Sequence, residues 1–499
     1  MGVVKSQAIN NSIFNYIGQV IGYVNVIVLF PILLTQEEFG LTRLLASMAI
    51  IYAQLSSFGT QRVIIKFFPF FQAKEGADHH GFLSLVLFNT LLGFLLVSAA
   101  FWFLKDLIVD NQDSQLFKSF YIVVPLLSAL TLLNWVFESY LKVLLKTSFT
   151  SFLNNILLKI LWLGSVLAYY YEYINIEQFI WVYCSVHLML VIAMVAYLGH
   201  LKQLSFKLNF YYYKWRLLKN IYRYGAYSIL DNTNSALMNN LDKIMLGFLI
   251  MDDLRSVAVY TVASHLSGIV IIPSTSMNRI LTPLISRYWK KKQREKIETI
   301  YKQSTIINLV LTGSLFVLVW TNIDGIMNLV DKDYASGIYA ILFLMLSRLI
   351  GVSFGLNGDI LLVSKHYWFN TVSGAILIFL MIIFNSLFIP TYGVVGAALG
   401  TLVARTLYNL IRHFFLYNKE RLNPFTIKNL HGFIILSIVL AIGSNIHFSG
   451  LHFLIEMILK GTIVAALLFF PFYYMKISED LNLMFDNAIS KLKRLLAGS

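Results

Sequence analysis

FLSLVLFNTLLGFLLVSAAFWFL, residues 82–104, runs for 23 residues without a charge. As an α-helix it would be about 35 Å long, enough to cross a hydrocarbon layer about 30 Å thick. A membrane β-strand needs only about ten residues, and lipid offers no partner to free backbone groups, so a run of this length must be a helix. The whole chain has the same character. Of its 499 residues 58% are hydrophobic and only 13% charged, which excludes an ordinary soluble fold. The sequence therefore describes an all-α polytopic membrane protein.

Outward from that run, apolar stretches predict about fourteen spans. They lie near 11–34, 40–62, 82–104, 118–141, 150–171, 176–199, 221–250, 257–286, 303–323, 336–363, 367–389, 393–416, 430–448 and 453–475. The net charge of +14 follows the topology instead of marking a nucleic-acid surface. Alternate connections carry Lys66 and Lys74, Lys142 and Lys146, Lys202 to Lys219, Arg287 to Lys296, then Lys419, Arg421 and Lys428. The connections between them carry Glu37 and Glu38, then Asp106, Asp110 and Asp113, Glu172 and Glu177, Asp252 and Asp253, and Asp324, Asp331 and Asp333. The positive-inside rule then sets both ends on the cytoplasmic side of a cytoplasmic membrane. The start MGVVKSQ reads as the entry to a first helix instead of a cleaved leader, and its fit to a myristoylation pattern adds nothing to so many spans.

The expected organisation is an N-lobe at 1–199, a basic linker at 200–220, a C-lobe at 221–417, two extra helices within 418–475 and an amphipathic tail at 476–499. A weak repeat at an offset of roughly 219 residues places Glu138 to Asn155 on Asn357 to Gly374 and Lys146 on Lys365. With an even number of helices between copies, the two six-helix lobes form a parallel repeat. The stretches 200–220 and 287–302 mix Lys and Arg with Tyr and Trp, the composition of helices lying at a headgroup surface, where anionic phospholipids would be partners. Pro273 is the expected kink of its span. Gly393, Gly396 and Gly400 suggest close helix packing.

Ionisable groups at membrane depth cost several kcal/mol and so mark either a counter-ion pair or a wet cavity. Lys159 stands on a stripe with Ser151, Asn155 and Trp162, and Arg348 on one with Gly351, Gly355 and Asp359. Arg405 lies nearer a span end, where it could snorkel. Asp231 opens a polar stretch with Asn234, Asn239 and Asn240, and either couples an ion to transport or serves as a counter-ion to one of these cations. Arg43, Glu138, Asp242 and Lys243 sit toward span ends, where charge is cheap. Cys184, the single cysteine, reads as core packing. His79-His80-Gly81 lacks the carboxylate and spacing of a zinc site, and no strand precedes a phosphate loop, so no metal, cofactor or ATPase function is expected.

The segment YGAYSILDNTNSALMNNLDKIMLGFLIMDDLRSVAVYTVASHLSGIVIIPSTSMNRILTPLIS, residues 224–286, resembles the seventh and eighth helices of bacterial polysaccharide flippases of the multidrug/oligosaccharidyl-lipid/polysaccharide exporter superfamily. IPTYGVVGAALGTLVAR, residues 389–405, looks like the entry to their twelfth helix. The resemblance implies two bundles around a cavity that opens alternately to each side. It also implies transport of undecaprenyl-pyrophosphate-linked oligosaccharide to the outer leaflet, alongside polysaccharide-assembly membrane proteins. Such a ligand is anionic at its head and hydroxyl-rich beyond. Arg348, Lys159 and Arg405 would grip the phosphates, and Asn155, Asn234 and Asn239 the sugars. The alternatives are a multidrug cation antiporter, a lipid II flippase and, more remotely, a polysaccharide polymerase or ligase, which would need a larger outer loop than the dozen residues near 105–117.

Overall fold

The computed structural model describes residues 2–72, 79–110, 114–207, 211, 213–250, 254–448, 450–483, 485–487 and 490. These are nearly all helical, with no strand among them. The chain forms two compact units, residues 1–261 and 262–499. The linker expected at 200–220 falls within the first of these.

The first unit begins with α1 (Gly2–Val24), prolonged by a π turn at Asn25–Leu29. α2 (Gln36–Ser56) starts at a reciprocal cap: the Thr35 hydroxyl accepts from the Glu38 amide while the Glu38 carboxylate accepts from that of Thr35. α3 (Thr60–Phe71) follows a left-handed break at Phe58 and Gly59. Gly59 holds φ +68° with the Gly225 carbonyl 2.6 Å from where a Cβ would stand, so neither the backbone nor the space admits a side chain. Then come α4 (Phe82–Phe103), α5 (Val123–Val143), α6 (Leu158–Tyr170), α7 (Ile176–His200) and α8 (Trp215–Leu249). α6 is entered through a helical turn at Thr147–Phe152 and a second π turn at Leu153–Leu157. α4 exposes Phe88, Leu91, Leu92, Leu95 and Leu96, as a helix facing lipid should. Its other face joins a core of Phe68, Phe71, Phe82, Tyr140 and Leu190.

The unit boundary falls inside α9 (Arg255–Gly268). A 3₁₀ turn at Ile269–Ile271 separates α9 from α10 (Ile272–Lys290), with Pro273 in the first turn of α10, so the span breaks where its proline predicts. α11 (Arg294–Thr321), α12 (Ile338–Ser353), α13 (Trp368–Glu420), α14 (Ile427–Ser444) and α15 (Phe453–Tyr474) complete the second unit.

α13 is two helical arms folded into a hairpin. Gly393 has φ 57° and ψ −128°, a conformation open only to glycine. On either side of it the chain folds back, so that a Cβ on Gly396 would lie 2.1 Å from the Phe388 carbonyl and one on Gly400 would lie 2.3 Å from the Asn385 amide oxygen. Farther along the same arms Phe369 stacks on Phe415 at 3.7 Å, and Arg412 Nε donates to Ser373 Oγ at 2.9 Å.

Twelve helical segments among the described residues are long and apolar enough to cross a bilayer. The protein is a multi-pass membrane protein. α8, with its Asp and Asn residues, lies outside that set, and α13 enters it as a single segment. Fourteen passes follow if α8 crosses and the arms of α13 are taken separately.

Among the described residues the two basic stretches do not form separate surface helices. Residues 203–207 are not helical, and 208–210 and 212 lie outside the described residues, as does half of the amphipathic tail, of which 479–483 and 485–487 are helical. The basic stretch 287–302 is the end of α10, a turn at Lys291–Gln293 with Lys292 at φ 54°, and the start of α11. Its cations therefore extend membrane helices, and Arg287 and Lys290 complement the carbonyl end of α10.

Gly396→Val would force the two arms of α13 apart at a cost of about 1–3 kcal/mol. A clear drop in the unfolding temperature of the purified protein is expected. Gly164→Ala, with nothing within 4 Å, should not lower it.

Candidate functional site

The first unit contains a cavity of about 570 Å³. One wall is a stripe of α5, Thr131, Asn134, Trp135, Glu138 and Lys142, at the three- and four-residue spacing of one helix face. The opposite wall is Thr150, Ser151, Asn154, Asn155, Leu158 and Trp162, with Asn15 of α1 and Tyr183 and His187 of α7 closing the sides. The π turn at Leu153–Leu157 widens the helix there, and the adjacent Asn154 and Asn155 both reach the cavity.

Glu138 Oε1 lies 2.7 Å from Lys142 Nζ, so the carboxylate is neutralised on its own helix. Asn134 Nδ2 donates to Asn154 Oδ1 at 3.2 Å, and Asn155 Nδ2 to the Ser151 carbonyl at 3.0 Å. Trp162 stacks on Tyr183 at 5.1 Å, and its buried Nε1 has no acceptor among the described residues. Amides, hydroxyls and flat aromatic faces in one chamber suit a ligand rich in hydroxyl groups.

Of the residues singled out from sequence, Asn155 lines this cavity and Lys159 does not. Lys159 faces α1, where its Nζ donates to the Gly18 carbonyl and lies 2.9 Å from where a Gly22 Cβ would stand. Gly18 and Gly22, four apart, form the groove that lets α6 approach this closely, and Asn25 Nδ2 seals it by donating to the Lys159 carbonyl at 3.0 Å. The carboxylates offered as counter-ions to Lys159 are occupied elsewhere: Glu138 by Lys142, and Asp231 by Arg62 at 2.6 Å. The Asp231 partner is thus Arg62 of α3 and not one of the cations singled out from sequence. On α8, Asn239 Nδ2 donates to the Ser235 carbonyl at 2.8 Å, and Asn234 lies half-buried one turn beyond Asp231.

Arg43 packs among aromatic rings. Its guanidinium is ringed by Phe30 at 5.6 Å, Phe39 at 5.2 Å and Trp162 at 5.7 Å, which ties it to the cavity wall through Trp162. Asp242 accepts the hydroxyl of Tyr260 and is buried with it.

In the second unit Arg348 Nε donates to Ser267 Oγ at 3.2 Å and Nη2 to the Ser264 carbonyl at 3.1 Å, and thereby spans the end of α9. Asp359, on its expected stripe, instead accepts from Thr282 at 2.7 Å. The Arg405 carbonyl accepts from Asn409 Nδ2 at 2.8 Å. Sequence reasoning passed over Arg412, which is 8% exposed, lies over Tyr408 at 4.3 Å and binds Ser373. No cluster of metal-ligating side chains occurs among the described residues. Asn134, Trp135 and Asn154 were passed over as well. Their signal was present as the polar stripe 131, 134, 135, 138 and 142 on an otherwise apolar span.

The fold is similar to that of solved polytopic membrane transporters and flippases. The MatE family model matches residues 228–336. Among solved structures, the lipid II flippase MurJ in its inward closed conformation superposes with a TM-score of 0.72 at 15% identity, over 94% of this chain and 100% of that one. An inward-facing multidrug resistance MATE family transporter of the MOP superfamily gives 0.58 at 14% identity, over 85% and 94%. An uncharacterized membrane protein of Methanocaldococcus jannaschii is 25% identical over 52% of this chain and 51% of its own length. From Haloferax volcanii, the probable low-salt glycan biosynthesis flippase Agl15 is 20% identical over 37% and 39%, and the probable flippase AglR 27% over 38% and 40%. The chain thus spans about half or less of the length of the curated relatives it matches.

Exchanging the partners of the α3–α8 ion pair tests the role of Asp231. Its side chains are 43% and 28% exposed, so the pair contributes under about 1 kcal/mol. Arg62→Asp and Asp231→Arg should each lower the unfolding temperature, and the double exchange should recover most of it.

Proposed function

We propose that this protein is a flippase that moves undecaprenyl-pyrophosphate-linked oligosaccharide from the cytoplasmic to the outer leaflet by alternating access, for export of surface polysaccharide. The observation that carries the reading is the chamber of the first unit, where Asn134, Asn154, Asn155, Trp135 and Trp162 surround about 570 Å³. Sugars are held by bidentate amides and by aromatic faces under their C–H surfaces. Two relatives that carry the word flippase in their names, one of them tied to glycan biosynthesis, support the same class.

In this reading Asn155 contacts the glycan within the chamber of the first unit, while Arg348 and Arg405, in the second unit, are candidate contacts to the diphosphate. Asp231 holds Arg62. A multidrug cation antiporter would need an uncompensated carboxylate, and the chamber's Glu138 already faces Lys142. A lipid II flippase remains close in chemistry, since its cargo is also a polyprenyl diphosphate sugar. Both termini lie on the cytoplasmic side by the charge pattern, and membrane proteins of glycan assembly are the natural partners.

Reconstitution into liposomes with a fluorescent lipid-linked oligosaccharide tests the proposal. Wild type should flip the probe. Arg348→Ala and Trp135→Ala should each slow it by about tenfold, the equivalent of about 1.4 kcal/mol. Efflux of a cationic dye without movement of the glycolipid would overturn the assignment.

A further inference from the structure

α14 and α15 lie outside the twelve-span repeat, and their contacts suggest a task. A second cavity, of about 370 Å³, is lined by Trp320 and Asp324 near the end of α11, Tyr339 at the start of α12, Ser444 and His447 at the end of α14, and Lys460 of α15. Asp324, Tyr339, Ser444 and His447 are exposed and form its rim.

Lys460 is 5% exposed, yet it makes no hydrogen bond or ion pair with any described residue. Asp324 shares the cavity without approaching within ion-pair distance, and Glu456, one turn earlier on α15, is turned toward the Phe448 amide at 3.4 Å. The side chain is largely enclosed and lines the cavity, where an anionic group would supply the missing counter-charge. The cavity leaves room for that group.

Depth narrows its identity. Lys460 lies seven residues into α15, about 10 Å from the helix start, and the ends of α11, α12, α14 and α15 converge at the cavity. Helix ends and exposed aromatics such as Tyr339 mark the level of lipid headgroups. On the same two helices, α14 and α15, Ile438, Ile442, Ile455 and Ile458 are exposed, an apolar surface on which acyl chains would lie.

We propose that this cavity binds the phosphate of a membrane lipid headgroup, with Lys460 as the anion receptor and the lipid chains along α14 and α15. The site is separate from the glycan chamber and does not depend on the cargo. It makes the C-terminal pair of helices a lipid clamp that fastens α15 to α11 and α12.

The test is thermal unfolding of the purified full chain titrated with short-chain phosphatidylglycerol or, separately, with inorganic phosphate. The wild-type unfolding temperature should rise saturably with the lipid. Lys460→Met should weaken apparent lipid affinity by about tenfold or more. Without lipid it should be at least as stable as wild type, because it removes a buried charge at nearly constant volume. Lys460→Arg should retain the lipid response. A saturable response to inorganic phosphate that Lys460→Met abolishes would also support the anion site, and would identify a free anion as its source. An equal lipid response in wild type and Lys460→Met, or none in wild type, overturns the proposal. Should Lys460→Met not fold, Lys460→Gln read by native mass spectrometry decides the same question by the presence or loss of retained lipid.

Discussion

Hydrocarbon gives a polar group nothing to bond to, and the internal arrangement of this protein follows from that constraint. Backbone groups are satisfied within helices, and side-chain polar groups must find partners inside the fold. Asn25 reaches the Lys159 carbonyl, Tyr301 the Phe354 carbonyl and Ser274 the Thr312 hydroxyl. Such bonds fasten helices together where apolar surface alone would not discriminate helix from lipid. The close approaches then depend on glycine: Gly18 and Gly22 against α6, and Gly396 and Gly400 within α13, where any larger residue would separate the very groups that need each other.

The same constraint gives the cations different roles. Arg62 has a carboxylate, Arg43 has three aromatic faces, and Arg348 and Arg412 have hydroxyls and amide or backbone oxygens. Lys159 has a backbone carbonyl alone, which satisfies a proton but leaves the charge uncompensated. Lys460 has neither.

The fold class was legible because a span announces itself locally: residues 82–104 need no tertiary information to be read. The broken span at Pro273 was equally local. The hairpin at Gly393 was visible as two adjacent apolar runs, yet the structure was needed to show how closely the two arms approach each other around that residue. The two basic stretches misled because composition reports only that a segment lies near the membrane surface, and the end of a long helix does so as well as a helix lying flat. Candidate residues were harder. The stripe on α5 was readable at helical spacing, but small amides and hydroxyls are common in spans, while charges draw the eye. What each charge meets is a tertiary fact, so Asp231 could not be matched with Arg62 from sequence, nor Lys159 with a groove in α1.

The π turn at Leu153–Leu157 connects these levels. The π turn inserts about one residue into the helix, so without it everything after Leu157 would be rotated by about 100° relative to Thr147. With it, both amides reach the chamber while Lys159, one turn later, is delivered to the α1 groove. A single local departure from α-helical geometry therefore sets the polar wall of the cavity and the seat of the buried lysine together. An insertion or deletion that removed the π turn would move both at once, which makes the chamber and the α1–α6 contact one structural element.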